Sequence, residues 1–211
     1  THYYGGIKKY QWATIPLSLY GTVYNSLGEK IDISIGDDEN DPIFFINDLL
    51  IHLSSDQMQL KASEVIKGEQ LNVMAGSKPL PLGDDGKEQK DSFKGKVLRI
   101  LKDRYDIDER AFMSAEFELV PSGKAREAGL DRSMIMAYGH DDRVCAFASL
   151  KSILETEKSE LMKCAVFADK EEVGSQGNTG MESRFFENMV AELINLQGEY
   201  SDLKLRRAFS N

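Results

Sequence analysis

Cysteine is nearly absent: Cys145 and Cys164 are the only two in 211 residues. Two thiols make no disulfide framework, and neither sits in a Cys-x-x-Cys metal spacing. Both lie in apolar runs, so buried, reduced thiols are expected. Long hydrophobic runs are missing as well. Stretches as short as 165–168 are typical, which excludes a bilayer-spanning helix in this sequence. Positive charge is scarce, with 26 Lys and Arg against 35 Asp and Glu, a net charge of −9. Nucleic acid, whose phosphates need a basic surface, is therefore not an expected partner. The acidic excess bears first on solubility and does not by itself imply a basic ligand. The opening THYYGGIKKY lacks the basic-then-apolar order of a secretory signal, so the expected compartment is the cytoplasm.

What is present falls into two halves of different character. Residues 12–24 are rich in aromatic and β-branched types, Ser26-Leu27-Gly28-Glu29 supplies a turn, and Ile31, Ile33 and Ile35 alternate with polar residues. That pattern predicts a β-hairpin. Residues 43–50 are apolar and fit a strand or a short helix. From 54 to 90 glycine and proline recur and apolar residues thin out, which predicts a long, loosely structured excursion. Val97, Ile100 and Leu101 give 93–105 a helical period, and 112–120 alternates as a strand.

The second half reads as strand, loop, helix, twice over. Residues 134–137 and 163–168 are the strand candidates; 144–154 and 185–196 are the helices. This order is the signature of an α/β layer with parallel strands, whose sites gather at the strand ends. We place a boundary near residue 129.

An acidic cluster follows each strand candidate: His140-Asp141-Asp142, and Asp169-Lys170-Glu171-Glu172. Carboxylates crowded at one sheet edge repel unless positive charge lies between them. A metal pair answers this. One carboxylate can bridge two ions about 3.5–4 Å apart while a neighbouring acid moves the proton of a metal-activated water. The pattern alone fits equally a solvated loop or acids at a helix N-terminus. The Gly-rich run 173–180 lacks the Gly-Lys-Ser/Thr ending of a phosphate loop and reads as a flexible loop beside these acids.

The two segments 137–143 (AYGHDDR) and 167–175 (FADKEEVGS) together resemble the aspartyl aminopeptidase family of di-zinc metalloaminopeptidases, its bacterial branch above all. The resemblance extends to THYYGGIKKYQW and to NTGMESRFFENMVAEL, and so covers essentially the whole chain. It implies an α/β fold: part of a zinc-exopeptidase catalytic domain, with an inserted β-rich oligomerisation domain before it. Residues 1–8 would be a remnant of the catalytic domain, 9–128 the insertion, and 129–211 part of the catalytic domain. The roles it implies are Asp141 as the acid bridging two zinc ions, Glu172 as a ligand to one, and Glu171 as general base. Cobalt or manganese could replace zinc. Asp142 stands where many members have Asn, and His140 lies outside the family's metal-binding set.

His52 is similar in setting to a histidine that members of the family extend into a neighbouring subunit's active site; packing on an apolar face is the other reading. The implied substrates are peptides, and the implied assembly is a dimer or dodecamer. A His upstream, and an Asp and a His downstream, complete the family's ligand set and are not in this sequence, so the chain resembles an internal segment, metal-poor and inactive by itself. A catalytically silent scaffold of the same fold is the alternative. The preferred N-terminal residue and the native metal are not legible in the sequence.

Overall fold

The computed structural model describes residues 1–210, which divide into two compact units. The chain crosses between them more than once. Thr1–Tyr3 and Lys8–Tyr138 make the first unit; Tyr4–Ile7 joins the residues from Gly139 onward in the second.

The first unit is built on the expected hairpin. Strand β1 (Leu17–Tyr24) pairs antiparallel with β2 (Lys30–Ile35) in the register Leu19↔Ile35 to Tyr24↔Lys30. The turn is tied by Asn25, whose Oδ1 accepts the backbone N–H groups of Leu27 and Glu29 at 3.0 Å, while Gly28 takes φ +79°. Period-two alternation puts Ile33 and Ile35 inward, both buried. Two short strands, β3 (Phe45–Ile46) and β4 (Val73–Met74), pair with each other across the loose excursion, which otherwise holds only single 3-10 turns.

Helix α1 (Ser92–Tyr105) follows, as its spacing predicts, and ends at Asp106 in the left-handed region. The second helix, α2 (Glu109–Ser114), takes residues 112–114 that alternation assigns to a strand. The cause is local: Asp108 accepts the Ala111 N–H at 2.8 Å and caps a helix start that outweighs the period-two pattern. Strand β5 (Glu116–Pro121) then returns along β1, giving the sheet order β2-β1-β5. Val23, Ile33, Ile35, Ile107 and Ala111 form the core beneath it, each fully buried aliphatic contributing about 1.5–3 kcal/mol.

Strand β6 (Arg126–Ala128) pairs with β7 (Met134–Met136), and this pair too is antiparallel. The strand expected at 134–137 therefore forms, but its partner is its own hairpin neighbour. The strand expected at 163–168 does not form. A strand exists by pairing, and among the described residues this segment has no ladder partner; Val166 and Phe167 stay exposed. Among the described residues the second unit holds three α-helices: α3 (His140–Leu154), α4 (Phe185–Leu196) and α5 (Asp202–Ala208). The first two match the periodic segments. Both cysteines are exposed and unbridged, against the expectation of burial, because the surfaces around them are themselves uncovered. No helix of the described residues is long and apolar enough to cross a membrane.

Candidate active site

The first acidic cluster opens α3. Gly139 takes φ +77°, and the guanidinium of Arg143 folds back to within 3.4 Å of where a Cβ on Gly139 would stand. Asp141 and Asp142 occupy the first turn with non-helical backbone angles, joined by a cis peptide bond. Both are exposed. Both carboxylates thus stand at the N-terminal end of the helix.

The second cluster sits on a loop that bonds mainly to itself. Asp169 N–H donates to the Thr179 carbonyl at 3.2 Å, and Thr179 Oγ1 donates back to the Asp169 carboxylate at 3.4 Å. Lys170 takes φ +69° and its carbonyl accepts the N–H of Val173 at 3.3 Å and of Ser175 at 2.8 Å. Glu182 N–H then donates to the Ser175 carbonyl at 3.1 Å. The fold of this loop requires glycine at 180, where a Cβ would fall 2.0 Å from the Ser175 oxygen. Within it Glu171 and Glu172 lead a single 3-10 turn, Glu171–Val173, and both side chains face solvent.

Tyr4 and Gly5, which sequence reasoning does not single out, meet this loop. The Lys170 ammonium lies 5.1 Å from the centre of the Tyr4 ring and 3.9 Å from the Asp169 carboxylate. A Cβ on Gly5 would stand 3.3 Å from that of Glu172. The only signal in the sequence is an aromatic pair followed by Gly5-Gly6, too common to mark a site.

His52 belongs to the first unit. It occupies a 3-10 turn, Ile51–Leu53, between exposed apolar neighbours: Leu50, Ile51 and Leu53 are 57%, 68% and 68% accessible. The histidine is itself exposed, so packing on an apolar face does not describe it within the unit. A cleft of about 710 Å³ runs between α4 and α5 and is lined by Arg184, Glu187, Tyr200, Arg206 and Phe209, with none of the candidate acids.

Among the described residues no three His, Cys, Asp or Glu side chains are gathered so as to hold a metal ion. Asp141, Glu171 and Glu172 therefore do not make a metal centre by themselves.

A family model described as aminopeptidase I zinc metalloprotease (M18) matches residues 1–210. The chain belongs to the M18 family. A probable M18 family aminopeptidase 1 of Clostridium acetobutylicum is 50% identical over 211 residues, all of this chain and 44% of the relative. The crystal structure of an M18 aminopeptidase from Thermotoga maritima matches with a TM-score of 0.82 at 41% identity, over 97% of this chain and 44% of that one. An aspartyl aminopeptidase of Caenorhabditis elegans is more distant, 25% identical over 205 residues, with 90% of this chain and 43% of the relative covered. The chain thus spans less than half the length of the M18 proteins it matches. Its mixed helices and strands carry part of the M18 fold, as the α/β reading expects, and zinc is the metal in the family's description.

Proposed function

We propose that the whole protein is a metal-dependent aminopeptidase that removes N-terminal residues from peptides. Membership of a zinc metalloprotease family across residues 1–210 carries this reading. Asp141, shared between the two, and Glu172 would hold a pair of zinc ions, for which cobalt or manganese could substitute, and the metals would activate the attacking water. Glu171 is the general base: it takes a proton from the attacking water and returns it to the leaving amine. Its exposed position in a short turn leaves the carboxylate open to a bound substrate. His52, presented on an exposed apolar turn, serves the active site of a neighbouring subunit, within a dimer or dodecamer. We place the enzyme in the cytoplasm, with residues 9–128 as its assembly domain and 129–211 as part of its catalytic domain.

The catalytically silent scaffold has one observation in its favour, that the candidate acids do not form a metal-holding group among the described residues. Turnover separates the two readings. The full-length protein is expected to hydrolyse amino-acid amides and short peptides with zinc present and to stop when a chelator removes the metal. The 211-residue chain is expected to bind little zinc in a titration, since two carboxylate ligands fall short of the roughly four a zinc ion takes. Peptide binding by the full-length protein with no turnover under any of the three metals would favour the scaffold.

A further inference from the structure

We propose that Tyr4 and Gly5 are positioning residues, a seat that holds the Glu171–Glu172 turn in its working geometry. The inference rests on the aminopeptidase reading and deepens it. Tyr4 and Lys170 are 166 positions apart in the chain, yet Tyr4–Ile7 groups with the second unit while the residues on either side of it belong to the first. Such a short excursion has to be held by contacts, and those of Tyr4 and Gly5 fall on a single turn.

Two of them bracket the acidic pair. On one side is Lys170, the residue before Glu171. Its ammonium rests over the Tyr4 ring at 5.1 Å and beside Asp169 at 3.9 Å, and its side chain is only 22% accessible. The face of a tyrosine ring is negative and holds such a cation. The same lysine is the pivot of the loop's backbone, left-handed at φ +69° with its carbonyl accepting from Val173 and Ser175. On the other side is Gly5. It also adopts φ +69°, and a side chain there would press on Glu172, at 3.3 Å from its Cβ and 3.7 Å from its carbonyl oxygen. One residue of the seat fixes the position before the pair, and the next backs onto its second member. Neither carries a chemical step in this proposal. Their part is to restrict where the two carboxylates can go, which is how a supporting contact acts on a reaction it does not carry out.

The test uses hydrogen exchange in the full-length protein, followed at the Ser175 and Glu182 amides, whose hydrogen bonds close the loop. Tyr4→Leu and Lys170→Met are each expected to speed exchange about two- to five-fold, the scale of an exposed cation–π contact. The double variant should exchange no faster than either single one, and Tyr4→Phe, which keeps the ring, should match the unaltered protein. Gly5→Ala is expected to lower kcat with KM little changed. Additive effects of Tyr4→Leu and Lys170→Met, or exchange that Tyr4→Leu leaves unaltered, would overturn the seat. Because exchange needs no turnover, coupled exchange in a protein that hydrolyses nothing retains the seat and removes only the aminopeptidase reading.

Discussion

Glu171 and Glu172 are adjacent acids on a loop whose shape depends on a few residues with no chemistry of their own. Gly180 is the least dispensable of them. With the Ser175 carbonyl 2.0 Å from the place of a Cβ, Gly180→Ala has to move backbone, not a yielding side chain. The expected cost is about 1–3 kcal/mol, as for other overpacked sites. It should show as a lower melting temperature of the full-length protein together with faster exchange of the Glu182 amide. An unaltered melt and unaltered exchange would mean that the loop does not need this close approach. At this scale the acids stand out in the sequence as candidates because two clusters, 28 positions apart, carry family motifs. Tyr4 and Gly5 were not. Their part depends on a contact across 166 positions that no local pattern encodes.

Among the elements, those set by short-range physics were the readable ones. The β1–β2 hairpin has its turn asparagine and its alternating isoleucines, and α1 and α4 have their helical period. Of the alternating stretch 112–120, residues 116–120 form a strand, while 112–114 join the helix that the Asp108 cap starts. That cap has a pH signature. The Ala111 N–H, with help from the Ser26 hydroxyl, holds the Asp108 carboxyl below its ordinary range. A folded-state pKa below the unfolded one gives stability that is present above the unfolded value and lost as pH falls through the folded value. Asp108 is only partly covered, so the effect is small, but its direction is fixed. Asp108→Asn keeps a capping oxygen without the titration, and should flatten the acid limb of stability between about pH 5 and about pH 3. The fluorescence of Trp12, the single tryptophan and a residue of the first unit, follows this in urea titrations. An acid limb as steep as before would contradict the cap's role.

At the scale of the molecule, the two units differ in what they bury. All ten buried apolar side chains among the described residues belong to the first. In the second, Val144, Phe147, Leu150 and Leu154 leave an apolar stripe along α3 between 45% and 73% accessible. Residues 163–168 are mostly exposed and have no partner strand among the described residues. Parallel pairing was expected from the order of elements, but the order of elements does not say which strand lies next to which. The M18 proteins of known structure are more than twice as long as this chain, and the aminopeptidase reading belongs to the whole protein. Its central claim is that Glu171 moves the proton while its neighbours hold the metal. The direct measurement is kcat and zinc content of the full-length Glu171→Gln variant, side by side. The account predicts kcat lower by roughly 10²- to 10⁴-fold with zinc content unchanged; turnover equal to that of the unaltered protein would contradict it.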